Sequence, residues 1–322
     1  MAKLMAFLMA VLLGGGIYYV YSPMTPPVLP YEFSLNQGGS LTTVARQFEQ
    51  AGLLDSPKLF VLFARLQGRA GKIKAGVYQL DHAVSKMELL DMITQGNVSL
   101  GQITLIEGWN FRQLRSALDA NPHIRHDTQG LSDRDILQRI GAAEMHPEGL
   151  FFPETYSVAA GSSDIELLKM AYKLMQQRLN EAWQARAPGL MLETPYQALI
   201  LASIVEKETG VASDRPMIAG VFTNRLRIHM MLQTDPSVIY GLGDAFDGNL
   251  RKRDLTSDTP YNTYTRAGLP PTPIALPGAG ALKAALHPAK TDALYFVARG
   301  DGSSKFSSNL SEHNRAVYQY QK

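Results

Sequence analysis

The stretch Thr194–Gly210, TPYQALILASIVEKETG, decides how this chain is read. Thr194 can cap the amide end of a helix, Pro195 suits the first helical position, and Gln197 stands where a capping box needs an amide. Gly210 supplies a stop. Between these ends Ala198, Leu199, Ile200, Leu201, Ala202, Ile204 and Val205 leave almost no polar face, so the helix is expected to be buried all round. Glu206 and Glu208, at the end of such a helix, are costly unless something compensates them.

At 100° per residue, Glu208 follows Ile204 and Val205 by four and three positions and shares the stripe of Leu201. Glu206 points about 160° away, beside Ser203 and Leu199. Glu208 is therefore read as the more desolvated carboxyl. Desolvation raises a carboxyl pKa, and an acid still protonated near neutrality is what a glycosidic oxygen needs as general acid. The plain alternative is that both glutamates emerge at the helix end and pair with Lys207 or Arg215.

At 322 residues, 45% of them hydrophobic, the chain has material for two or three domains with real cores. It has no cysteine, which excludes disulfide frameworks, thiolate metal sites and cysteine nucleophiles. Lys and Arg number 31 against 29 Asp and Glu, so nothing in the bulk charge argues for a nucleic-acid partner. There is no Gly-x-Ser-x-Gly elbow, no Ser-x-x-Lys, no His-Glu-x-x-His and no phosphate-binding glycine loop, and the histidines are scattered. No metal and no cofactor are expected.

Leu4–Tyr21, LMAFLMAVLLGGGIYYVY, carries no charge, follows Lys3 and runs into a proline-rich stretch that ends at Pro30. Its length reaches the lower limit for a membrane span. A cleaved signal peptide is the rival, because Gly14, Gly15 and Gly16 are small enough for processing, but cleavage there would leave a short apolar region followed by Ile17, Tyr18 and Tyr19. An uncleaved single-pass anchor is expected, with Lys3 cytoplasmic and Tyr18, Tyr19 and Tyr21 at the outer interface. The rest of the chain then lies outside the inner membrane.

After the linker, Tyr31–Gln37 alternates loosely as a short strand. Ser40 caps a helical spacing of Leu41, Val44, Ala45 and Phe48, and Ser56-Pro57 starts a second helix with Leu59, Phe60, Phe63 and Leu66 on one face. Gly76–Leu80 reads as a returning strand. Ser85 and Glu88 form a capping box for a helix to Gln95, and Gly101–Ile106 alternates as a strand. Short helices follow between residues 110 and 145, and Asp164–Arg186 is a long amphipathic helix. The fold class is α+β: cytoplasmic end 1–3, transmembrane helix 4–21, linker 22–30, a small α/β module 31–96 and a larger α+β domain 97–322.

Beyond Gly210, Arg215–Leu226 reads as a helix, and the chain then passes through Gln233, Thr234, Asp235 and Pro236. Polar side chains this dense between the apolar runs VFTNRL and SVIY must be hydrogen-bonded to one another or to a ligand. Asn224, Gln233 and Asp235 are candidates to hold a glycan, whose hydroxyl and acetamido groups need such partners. For Asp235 the alternative is an N-cap with Pro236 at the first helical position. Tyr261-Asn262-Thr263-Tyr264 lies in a proline- and glycine-rich region without periodicity, as binding loops often do. Tyrosine offers a flat face for a pyranose ring and a phenol for hydrogen bonding. The alternative is a structural loop packed by its own aromatics.

From Gly149 onward the chain resembles the YceG-like endolytic murein transglycosylases through several blocks in order. These are GLFFPETY at 149–156, ASIVEKET at 202–209, VFTNRL at 221–226, LQTDPSVIYG at 232–241, YNTY at 261–264, GLPPTPI at 268–274 and EHN at 312–314. The resemblance implies that Glu208 is the catalytic acid, with Glu206 as the alternative, and it lifts Tyr261, Asn262 and Tyr264 into substrate contact. One departure is Ser304, where many relatives carry His. The strand–helix–helix–strand order of 31–96 resembles a LysM-like carbohydrate-binding module. The implied activity is lytic cleavage of the bond between N-acetylmuramic acid and N-acetylglucosamine in nascent peptidoglycan glycan strands, leaving a 1,6-anhydro end and terminating elongation. It also implies contact with peptidoglycan synthases. The rival readings are a two-carboxylate muramidase that adds Asp235, and a non-catalytic glycan-binding scaffold.

Overall fold

Capped helical segments and short strands alternate along the chain, so the architecture mixes α and β. The computed structural model describes every residue except Met1, Pro27, Asn36, Gln37, Asn97, Val98, Ser99, Ala160 and Lys322. The chain divides into two units. The first holds Met1–Gln102, His123–Arg125 and Ser157–Ser162, and the second Ile103–Pro122, His126–Tyr156 and Ser163–Lys322. The end of the strand expected at Tyr31–Gln37, and the start of the domain expected at residue 97, fall outside the described residues.

The first unit begins with α1 (Ala2–Tyr21), in which Lys3–Tyr21 is long and apolar enough to cross a membrane and is not buried within the protein. It continues through β1 (Pro23–Met24), β2 (Tyr31–Leu35), α2 (Leu41–Gln50), α3 (Pro57–Leu66), β3 (Gly76–Leu80), β4 (Val84–Ser85) and α4 (Lys86–Gln95). β1 pairs with β4 and β2 with β3, both antiparallel. The Ser40 hydroxyl accepts from the Thr43 amide at 3.2 Å, and α2 buries Leu41, Val44, Ala45 and Phe48. Ser85 and Glu88 close a reciprocal box at the start of α4. Phe33 meets Phe48 edge-on at 4.9 Å and stacks on Tyr78 at 5.4 Å, at the centre of the unit's core. Each such fully buried side chain contributes about 1.5–3 kcal/mol. The C-terminal end of α1 is tied to the rest of this unit: the Tyr19 hydroxyl donates to the Ser56 carbonyl, and the Lys86 ammonium lies over the Tyr19 ring and donates to Ser22.

In α3 the structure corrects the sequence reading. Phe60 and Ala64 face the core, whereas Leu59, Leu62 and Leu66 are exposed. The helix is apolar over most of its circumference, so spacing alone could not select the buried side.

The second unit is built around one central helix. Its elements are β5 (Leu100–Thr104) and, after the first turn, α5 (Phe111–Asp119), α6 (Asp133–Ile140), β6 (Thr155–Ala159), α7 (Asp164–Gln184), α8 (Pro195–Glu208) and α9 (Arg215–Arg227). There follow α10 (Asp235–Leu242), α11 (Lys252–Thr256), α12 (Ala279–Leu286), the antiparallel pair β7 (Tyr295–Ala298) and β8 (Ser304–Ser307), and α13 (Leu310–Tyr320). β5 and β6 each carry residues of both units.

Helix α8 is buried from Ala198 to Val205 and packs against α7, α9, α10 and α12. Thr194 caps it by accepting from the Gln197 amide at 3.2 Å, while the Gln197 side chain reaches the Glu193 amide at 2.7 Å, one residue before the cap. The helix stops at Glu208 because Thr209 turns extended, with φ −151°; Gly210 takes no left-handed conformation, so the stop is made by threonine. Ser203, buried in the middle of α8, accepts from the Ile274 amide at 3.0 Å and pins the 268–278 loop along the helix. Gly149, at φ 77°, lets the 149–156 turn approach that loop, since a Cβ there would stand 2.5 Å from Pro273.

Candidate active site

The end of α8 presents two carboxyls in different company. Glu206 is compensated: Arg215 Nη2 lies 3.3 Å from its Oε1, and the Gly278 amide donates to Oε2 at 2.9 Å. A Cβ at 278 would stand 1.8 Å from the carboxylate end of Glu107, which would have to swing aside. Burial raises the Glu206 pKa, and the amide of Gly278 and the charge of Arg215 hold it back.

Among the described residues Glu208 has no such counter-ion in contact. Its Oε1 accepts a hydrogen bond from the Thr234 hydroxyl, a neutral donor, and its Oε2 has no hydrogen-bond partner among the described residues. Desolvation pushes its pKa up from 4.5 to about 7; the Asp235 charge adds to this, while the Thr234 hydroxyl and Arg225 oppose it. Glu206 is itself buried. The contrast between the two carboxyls therefore lies in their partners more than in the helix face each occupies.

The wall opposite Glu208 is built by the turn between α9 and α10. Arg225, buried, donates from Nε to the Leu294 carbonyl at 2.7 Å and from Nη1 to the carbonyls of Leu232 at 2.8 Å and Met231 at 3.2 Å. Its guanidinium also lies 5.2 Å from the Tyr295 ring centre, and that ring stacks on His313 at 5.1 Å. Gln233 sits in the left-handed region at φ 49°, a conformation that costs a non-glycine residue about 1–3 kcal/mol. Arg225 on one side and the bond from the Gln233 amide to the Thr263 carbonyl, 3.1 Å, on the other hold that turn. The turn delivers Thr234 to Glu208. The Thr234 amide in turn donates to the Thr263 hydroxyl at 3.0 Å, which shares a 2.9 Å bond with Ser237.

A family sequence model described as the YceG-like family matches residues 33–319. The chain belongs to the YceG-like family. A protein of Bacillus subtilis (strain 168) named endolytic murein transglycosylase is 31% identical to this YceG-like chain over 330 residues, 96% of this chain and 91% of its own length. A protein of the same name from Streptococcus pneumoniae serotype 2 (strain D39) is 26% identical over 351 residues, and the alignment spans 96% of this chain but 63% of the relative. The crystal structure of a yceG-like protein from Listeria monocytogenes aligns with a TM-score of 0.55 at 27% identity, covering 88% of this chain and 98% of the other.

Of the residues singled out in the YceG-like sequence, Gln233, Asp235 and Tyr264 lie around Glu208. Gln233 and Asp235 are exposed, and the Tyr264 hydroxyl donates to Asp235 at 2.5 Å. Asp235 is the first residue of α10, and Thr234 occupies the cap position. Tyr261 bonds to Thr272 at 2.9 Å and lines a groove of about 780 Å³ whose wall also includes Lys207, Pro236 and Tyr240. Asn224 and Asn262 sit in the scaffold. Asn224 donates to the Thr291 and Ala293 carbonyls, and fully buried Asn262 donates to those of Asp254, Leu255 and Ser257. Among the described residues no group of three or more His, Asp or Glu side chains is arranged to hold a metal.

Thr234 and Arg225 were not singled out from sequence. The signal for Thr234 was a hydroxyl standing directly before the Asp-Pro start of a helix. Glu148 was missed as well: it is buried, both its oxygens accept from the Phe111 amide at 3.1 Å, and desolvation pushes it to about 7.

Glu206→Gln separates the two carboxyls. It removes the nearer of the two carboxylates beside Arg215, leaving Glu107 at 3.9 Å, and is expected to cost about 1–3 kcal/mol, lowering the melting temperature by several degrees, while cleavage stays within about tenfold of the parent. Loss of activity as deep as that of a Glu208 variant, with an unchanged melting temperature, would move the acid to residue 206.

Proposed function

We propose that this chain is a lytic transglycosylase acting on peptidoglycan, with Glu208 as its single acid and base. The observation that carries the reading is the Glu208 carboxyl, held on one oxygen by a neutral hydroxyl and without a partner on the other among the described residues, in a setting whose burial pushes its pKa up to about 7. Oε2 gives its proton to the oxygen of the β-1,4 bond between N-acetylmuramic acid and N-acetylglucosamine, and the C1–O bond breaks. The carboxylate so formed takes the proton of the muramyl 6-hydroxyl, whose oxygen closes onto C1. The products are a free 4-hydroxyl and a 1,6-anhydro end; no water is consumed, and Glu208 regains its proton.

Asp235 and Tyr264 are assigned to the sugar bound next to Glu208, Gln233 to its polar substituents and Tyr261 to the adjoining groove, with Asn224 and Asn262 acting through the loops they hold. The two relatives named as endolytic murein transglycosylases support the substrate and cleavage within strands. Helix α1 serves as a single-pass anchor in the inner membrane with the remainder periplasmic; its apolar length supports this. The strand–helix–helix–strand order of β2, α2, α3 and β3 supports a LysM-like glycan-binding module. Cleavage there would end nascent strands beside the peptidoglycan synthases.

The test is mass spectrometry of fragments released from purified peptidoglycan. Ends one water lighter than a reducing end are expected. Reducing ends would favour a muramidase with exposed Asp235 as second carboxylate, and release of nothing would favour the binding scaffold.

A further inference from the structure

Helix α3 carries a strip that the first unit's own core does not use. Leu59, Leu62 and Leu66 are 50%, 53% and 80% exposed, and their spacing of three and four residues places them in one row. Among the described residues of this unit outside α1, the other exposed large apolar side chains are Val28 and Leu29, shortly after the end of α1. The row faces α1 across an apolar groove of about 710 Å³, whose opposite wall includes Met9, Leu13 and Ile17. Scattered single leucines on a surface need no account, but a row continuous with a membrane-length helix does.

We infer that the Leu59–Leu62–Leu66 row of α3 rests in the outer leaflet of the bilayer, with phospholipid acyl chains filling the groove beside α1. The inference rests on the reading of α1 as an anchor. Two observations select lipid as the occupant. One wall of the groove is the span itself, so whatever surrounds the span at that depth also reaches the leucines. Exposed Lys58 and Arg65 stand seven residues apart on α3, beside the leucine row, where they can meet lipid phosphates while their stems lie along the apolar surface. The bonds from Tyr19 to Ser56 and from Lys86 to Ser22 hold the end of α1 against the unit, so the row and the span approach the bilayer together. The consequence is a module seated on the membrane rather than swinging from a tether.

The chain has no cysteine, so single nitroxide labels need no background substitution. Full-length protein carrying Leu62→Cys, Arg46→Cys on α2, or Met9→Cys in α1 is labelled and reconstituted into phosphatidylethanolamine–phosphatidylglycerol vesicles. Power saturation then compares relaxation by oxygen with relaxation by a water-soluble nickel chelate. The label at 62 is expected to respond more to oxygen than to nickel, as at 9, and the label at 46 the reverse. A nickel-accessible label at 62 with a lipid-buried label at 9 overturns the inference and leaves the anchor standing. A label at 62 shielded from both reagents also overturns it, because protein then covers the row. A nickel-accessible label at 9 removes the anchor reading itself, and the inference with it.

Discussion

Glu208→Gln is expected to lower glycan cleavage by about a hundredfold or more without loss of the fold. The amide keeps the shape and can still accept from Thr234, but it has no proton to give to a leaving oxygen. Stability supplies a second readout. In the folded protein the Glu208 pKa lies near 7 against 4.5 for the free side chain. A raised carboxyl pKa contributes stability that is fully present below 4.5 and is lost as pH rises through about 7. Glutamine does not titrate. The variant's melting temperature should therefore gain on the parent's between pH 4.5 and pH 8 and stand level with it or above it at pH 8. A fully active variant would remove Glu208 from the chemistry.

Arg225→Met is expected to be the most damaging change to the framework of the site. It strands the buried carbonyl of Leu232 and the part-buried carbonyls of Met231 and Leu294, and removes the cation over Tyr295. Buried acceptors left without donors cost about 1–3 kcal/mol each, so a loss of about 3 kcal/mol or more is expected. In a unit of this size that lowers the melting temperature by about 6–12 °C. Activity should fall further than stability explains, because the left-handed turn at Gln233 loses the clamp that aims Thr234 at Glu208. A melting temperature within about 2 °C of the parent would show that other contacts hold the turn.

The sequence carried the helical scaffold well wherever capping and periodicity agreed. Ser40, Ser85 and Thr194 cap the helices they were expected to cap, and α8 is buried all round. Spacing misled where a helix was apolar on most sides: α3 turns Leu59 and Leu66 outward, and only tertiary packing could choose its inner face. The stop of α8 depends on the extended Thr209, a backbone choice that residue type alone does not dictate. At the site, helical phase sets Glu208 and Glu206 on different faces, but the larger physical difference is that Glu206 has partners: Arg215, close in sequence and open to reading as its ion pair, and Gly278, brought from a distant loop. A long-range partner such as Gly278 leaves no local pattern. For the same reason Asn224 and Asn262 stood out as polar residues in sequence, while their bonding to backbone carbonyls became visible only once the loops were folded against them.

The central claim is that the surroundings of Glu208 keep it a carboxylic acid at neutral pH. Carbon-13 NMR of side-chain-labelled glutamate, with the Glu208 resonance identified by its loss in Glu208→Gln, measures that proton directly. The account predicts a titration midpoint at about 7. A midpoint near the ordinary 4.5 would contradict it.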